Sequence, residues 1–70
     1  MNQIDEIRTR LIELPEKLTG EDRIMAAIEF KVHPETISRY LRGEVKKEAF
    51  GLELLGFLKN RISEREKVLA

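Results

Sequence analysis

The 70-residue sequence contains no cysteine and only one histidine, His33. Without cysteine the chain has no disulfide, no thiolate metal site and no thiol nucleophile, which is typical of proteins in a reducing cytosol. A lone histidine has no second histidine or cysteine with which to bind a metal ion. We therefore expect neither a metal nor another cofactor.

Long apolar runs are also missing. A membrane-spanning helix needs roughly 20 apolar residues, and the N-terminal MNQIDEIRTR lacks the charged-then-apolar order of a secretory signal. No histidine–carboxylate–nucleophile set, paired acids or glycine-rich phosphate loop can be assembled. We expect a single domain over residues 1–70 that is soluble, intracellular and not an enzyme, with no membrane contact and no small-molecule ligand.

The charges balance over the whole chain but not along it. Thirteen basic residues oppose thirteen acidic ones, yet residues 1–30 have a balance of −3 and residues 31–47 a balance of +3. A basic segment in a neutral chain favours an anionic partner on one face. The alternative is that charged residues simply solvate a small domain.

Apolar residues recur at helical spacing and never alternate over a useful length, which favours an all-α fold. A first helix is predicted over residues 2–13, with Ile4, Ile7 and Leu11 on one face, and Pro15 ends it. Thr19 is suited to cap a second helix. We expect this second helix to direct Ile24, Ala27 and Ile28 towards the core.

The segment VHPETISRYLRGEVKK, residues 32–47, predicts a short third helix over residues 34–42. Pro34 suits the first helical position, and Gly43 suits a left-handed position after the last one. Only residues 31–33 separate this helix from the one before it, and so short a connection usually turns the chain by roughly 90–120°. The pattern indicates a helix-turn-helix.

A fourth helix is predicted over about residues 47–66 and carries an unusually wide apolar stripe. The stripe spans an arc of about 160°, whereas a surface helix needs roughly 100° to face its own core. It is therefore either core plus a dimer interface or core alone. Its members are Phe50, Leu54, Leu55, Phe57, Leu58, Ile62 and Leu69.

Polar residues of the third helix share one side. At about 100° per residue, this side holds Glu35, Ser38, Arg39 and Arg42, opposite the apolar Ile37, Tyr40 and Leu41. Planar guanidinium groups suit phosphate or the acceptor pair of guanine. The pattern therefore predicts a face that contacts nucleic acid, with Lys46 and Lys47 near the phosphates.

The stretch RIMAAIEFKVHPETISRYLRG, residues 23–43, resembles the helix-turn-helix of lambda-repressor/Cro-like DNA-binding domains. Ala27 takes the small position of the first motif helix, and TISRYLRG is similar to the family's frequent T-I-S-R-x-x-x-G. Lys31 stands where the family usually has glycine in the turn; a positive φ is possible for a lysine there but costs about 1–2 kcal/mol. The resemblance covers roughly residues 19–62.

The resemblance implies a compact bundle of four to five helices whose recognition helix, residues 34–42, enters the major groove, usually as a dimer. It implies a small bacterial transcriptional regulator, such as a phage- or mobile-element-type repressor, that binds double-stranded DNA in the cytoplasm at the nucleoid. The expected DNA-binding residues are Arg23, His33, Glu35, Thr36, Ser38, Arg39, Arg42, Lys46 and Lys47. The alternative is a helix-turn-helix module for protein–protein contact, with the fourth helix as the partner surface.

Overall fold

A computed structural model describes residues 3–69 and consists mainly of helices. Its elements are α1 (Gln3–Glu13), a 3₁₀ helix (Pro15–Lys17), α2 (Gly20–Phe30), α3 (Pro34–Leu41) and α4 (Glu48–Leu69). Between residues 3 and 69 there is no strand and no fifth α-helix, so the all-α prediction is confirmed. The predicted start of the first helix, Asn2, lies outside the described residues. No helix within the described range is long and apolar enough to cross a bilayer.

One face of each helix contributes to a single core. Leu54 and Leu58 of α4 are fully buried, as are Leu11 of α1 and Ile37 of α3. Ile7 of α1 is buried beside them, which confirms the apolar face predicted for the first helix. Burial of each such side chain stabilises the fold by about 1.5–3 kcal/mol, so the α1 stripe holds this helix against the rest of the bundle.

Aromatic rings join α2, α3 and α4. Phe30 packs edge-on against Phe50 and Phe57, with ring centroids 5.3 and 5.6 Å apart. Tyr40 packs edge-on against Phe50 at 4.9 Å. Because edge-to-face pairs add about 0.5–1.5 kcal/mol beyond simple burial, this cluster fixes α3 against the first turns of α4.

The wide stripe of α4 belongs to the core. Leu54, Leu55, Leu58 and Ile62 are buried, and Phe50 and Phe57 are half-buried against the same cluster. The side chain of Leu69 lies outside the described residues. The apolar stripe is wide because α4 packs on both α1 and α2. The dimer expected from it stays a prediction.

The inward face of α2 differs from the predicted one. Ala26 and Ala27 are buried, but Ile24 and Ile28 are exposed. The helix directs Asp22, Ala26 and Phe30 towards α4, so the two isoleucines fall on the opposite side. The prediction for Ala27 is confirmed, and the prediction for Ile24 and Ile28 is wrong.

A buried carboxylate connects the start of α2 to the end of α4. Thr19 caps α2 as predicted, and its backbone N–H donates to Asp22, which completes a reciprocal capping box. Asp22 is fully buried and also accepts from Arg61 Nε at 2.8 Å and from Arg65 Nη2. Burial alone would raise the pKa of Asp22, but these hydrogen bonds and the charge of Arg65 hold it well below the usual range.

Lys31 follows α2 in the left-handed conformation, with φ 56° and ψ 45°. Its N–H donates to Ile28 O, and the Val32 N–H donates to Ala27 O at 3.0 Å. These two bonds form a Schellman motif, which usually has glycine at the left-handed position. Lys31 therefore has the positive φ that glycine adopts most readily.

Lys31→Gly is expected to raise the free energy of unfolding by about 0.5–1 kcal/mol. Glycine removes the clash of Cβ with the backbone, although it also makes the unfolded chain more flexible. Urea denaturation measures the change, and Lys31→Ala is the matched control because it removes the charge but keeps Cβ. Equal stability of the two variants would show that charge, and not backbone geometry, determines the effect.

Candidate nucleic-acid interface

The start of α3 is fixed by two neighbouring residues. His33 is extended, and its Nδ1 accepts a hydrogen bond from the Glu35 N–H at 3.0 Å. Pro34 occupies the first helical position, where a missing N–H costs nothing. His33 is therefore the N-cap of α3, and the residue is exposed.

The end of α3 is fixed by Gly43, which has φ 97°. Its N–H donates to Tyr40 O at 3.1 Å, and the Glu44 N–H donates to Arg39 O at 3.0 Å, a second Schellman motif. The left-handed glycine is confirmed, although the helix ends at Leu41, one residue before the predicted end. Arg8 of α1 donates from Nε to Gly43 O at 2.8 Å, so α1 holds this turn in place.

Arg39 of α3 and Arg42, which directly follows this helix, project to the same side. Arg42 Nη2 lies 3.2 Å and Arg39 Nε 3.7 Å from the same atom, Glu35 Oε1. All three side chains are more than half exposed. Arg42 Nε also lies 3.7 Å from Glu44 Oε2. The guanidinium groups are thus close together and open to solvent, and two carboxylates partly neutralise them.

The opposite side of α3 is buried, as its sequence predicts. Ile37, Tyr40 and Leu41 are buried, whereas Ser38 is half-buried between the two sides. Tyr40 is a core residue whose hydroxyl accepts a hydrogen bond from the Lys47 N–H at 3.0 Å. This bond fixes the segment that carries the two lysines against α3.

An open groove of about 490 Å³ lies beside the arginines, between α3 and the start of α4. Thr36, Arg39, Lys46 and Lys47 stand on its rim, together with Glu44 and Glu53. Its apolar lining is formed by Phe30, Val32, Tyr40 and Phe50. The structure therefore brings Thr36 and the two lysines next to Arg39.

Arg23 does not belong to this cluster of cations. It stands in the first turn of α2, is half-buried, and forms no ion pair with the described carboxylates. Nor does it line the groove beside Arg39. Its proposed contact with DNA stays a prediction that depends on where a duplex would lie along α2.

Two features of this surface are absent from the sequence prediction. One is the groove, whose lining combines Phe30 before the turn with Phe50 of α4. The other is Glu44, whose carboxylate approaches Arg42. The position of Glu44 directly after Gly43 could have signalled the second contact, because the left-handed turn reverses the chain towards the end of α3.

No protein-family model, no curated protein and no solved structure gives a significant match to this chain.

Proposed function

We propose that this protein binds double-stranded DNA in a sequence-specific way, as a small transcriptional regulator. In this proposal α2 and α3 form the helix-turn-helix, and α3 enters the major groove. The observation that carries the proposal is the convergence of exposed cations. Arg39 and Arg42 meet at one carboxylate oxygen, and Arg39 shares a groove rim with Lys46 and Lys47.

The chemistry of these groups fits the two parts of a duplex. Arg39 and Arg42 present planar donor groups that suit guanine O6 and N7. Lys46 and Lys47 follow the helix as compact charges that suit phosphate. Ser38 is short enough for α3 to approach base edges closely, and Glu35 is able to accept from cytosine N4.

The carboxylates near the exposed arginines and lysines reduce the net positive charge of this surface but do not prevent the cations from contacting phosphate. The four cations Arg39, Arg42, Lys46 and Lys47 face Glu35, Glu44 and Glu53, a balance of +1. Exposed ion pairs are each worth about 0–1 kcal/mol, so phosphate can displace them. Weak non-specific affinity and a larger contribution from base contacts follow from this balance.

The alternative function, protein–protein contact through α4, has less support. The stripe that would serve a partner is packed against α1 and α2 along the described part of α4, and its Phe50 also packs against Tyr40 of α3. A partner would have to separate these helices from one another. DNA binding requires no such rearrangement, because the polar side of α3 is already exposed.

Selection of bound sequences from a pool of random duplexes tests the proposal. The enriched duplex is then measured by fluorescence anisotropy in rising salt. With two to four phosphate contacts, the affinity should fall about 10- to 200-fold between about 50 and about 200 mM salt. No enrichment, or binding that is insensitive to salt, would contradict DNA binding and favour the protein-contact alternative.

A further inference from the structure

The outer face of α2 carries an apolar patch that the fold leaves uncovered. Ile28 is 64% exposed, Ile24 53% and Met25 39%. All three lie within two turns of one helix, so they form one patch and not scattered single residues. A contiguous exposed apolar patch, rimmed by polar residues, is typical of an interaction site.

A charge of opposite sign stands at each end of this patch. Glu21 precedes it in the first turn of α2, and Lys31 follows it directly after the last turn. Both residues are exposed, and neither forms an ion pair with another described residue. At about 100° per residue, Glu21, Ile24 and Ile28 lie within about 60° of one another. Lys31 lies one residue beyond the last turn, in the left-handed conformation, so the order along the chain is acid, isoleucine, isoleucine, base.

This order is complementary to itself when the direction is reversed. Residues 24 and 28 are equidistant from residue 26, and so are residues 21 and 31. Consider two antiparallel copies of α2 whose two-fold axis crosses the outer face at the level of residue 26. This arrangement would bring Ile24 of one copy to Ile28 of the other. The same operation brings Glu21 of each copy to Lys31 of the other, so both charges are paired at both ends.

We propose that the outer face of α2 binds a second copy of this chain in an antiparallel, two-fold arrangement. The charge pattern decides between occupants, because an unrelated partner would not require acid and base to be equidistant from the centre of the patch. The patch and its two end charges supply only a few residues per copy, far fewer than the roughly 20–30 residues a side of standard interfaces, so the dimer is weak and depends on concentration. The proposal is independent of DNA binding.

Sedimentation equilibrium over micromolar to millimolar protein tests the apolar part. The wild type should shift reversibly from monomer to dimer, whereas Ile28→Glu should stay monomeric. Val68→Glu is the matched control, since Val68 is an exposed apolar residue at the far end of α4. Circular dichroism should show that both variants keep the helical fold. A monomeric wild type at the highest concentration, or a dimer that only Val68→Glu dissociates, would overturn the proposal.

A charge swap tests the antiparallel register. Glu21→Lys or Lys31→Glu alone places like charges at both ends of the interface and should raise the dimer Kd about tenfold. The double variant with both changes restores two opposite-charge pairs and should return the Kd to within about twofold of the wild type. If the double variant is as weak as the single ones, residues 21 and 31 do not meet and the arrangement is wrong.

Discussion

Asp22→Asn is expected to lower the free energy of unfolding by about 2–4 kcal/mol, a large share of the roughly 4–10 kcal/mol available to a chain of this length. Asparagine keeps the shape of the side chain and an oxygen that can accept from the Thr19 N–H. It removes the charge that Arg61 and Arg65 approach, and those side chains are only about a third exposed. The two guanidinium groups would then repel each other without a counterion.

Urea denaturation measures this loss, and Glu21→Gln is the matched control. Glu21 stands in the same turn of α2 as Asp22 but is exposed and forms no ion pair with another described residue. Because it contributes mainly through the helix dipole, we expect a loss below about 1 kcal/mol. Both variants are measured at low micromolar concentration, where self-association is negligible. A change at Asp22 no larger than the change at Glu21 would contradict a stabilising role for the buried cluster.

The difference in unfolding free energy between the wild type and Asp22→Asn depends on pH. The pKa of Asp22 is depressed in the folded chain, so its stabilisation is complete above the unfolded value, near pH 4. As the pH falls further, the unfolded chain takes up the proton first, and the stabilisation is lost progressively towards the lower folded pKa. The difference in stability between the wild type and Asp22→Asn should therefore narrow below about pH 4.

Local sequence rules predict most of the helix boundaries in this fold. Thr19, Pro34 and Gly43 each act through backbone geometry and hydrogen bonds that involve residues a few positions away. Lys31 illustrates the strength of these constraints. The short connection requires a left-handed residue after α2, and the chain adopts that conformation even with a lysine.

Long-range pairing is what the sequence does not reveal. Asp22 looks like a solvated first-turn acid, but its partners Arg61 and Arg65 lie 39 and 43 residues further along the chain. Once this acid faces inward, the helical period directs Ile24 and Ile28 outward. A prediction based on side-chain hydrophobicity selects the opposite face, because it assigns the large apolar residues to the core.

The candidate interface combines both kinds of information. The common side of Arg39 and Arg42 follows from the helical period alone, and their ion pairs with Glu35 are consistent with it. The groove depends on tertiary packing, because its lining residues come from α2, α3 and α4. The sequence therefore predicts which side chains are exposed together, and the bundle determines the surface beside them.

Replacing both Arg39 and Arg42 by alanine is expected to weaken binding to the selected duplex by about 2–4 kcal/mol, or roughly 30- to 1,000-fold. With each arginine the complex would lose a planar pair of hydrogen-bond donors, which neither Lys46 nor Lys47 can replace. Specificity should also relax, because base contacts are removed while Lys46 and Lys47 still bind phosphate. Fluorescence anisotropy against the selected duplex and a scrambled one measures both effects.

Arg10→Ala and Glu35→Gln distinguish this contact from a general effect of charge. Arg10 is as exposed as Arg39 and pairs with Glu6 on α1 at 3.2 Å, so its replacement removes one positive charge away from α3 and should change the affinity less than about twofold. Glu35→Gln releases Arg39 and Arg42 from their shared carboxylate and should strengthen binding about two- to fivefold. Equal losses from Arg10→Ala and Arg39→Ala would mean that charge alone attracts DNA. Weaker binding by Glu35→Gln would instead mean that this carboxylate contacts a base. Only such a contact would stabilise the complex by more than the repulsion between the carboxylate and the phosphates destabilises it.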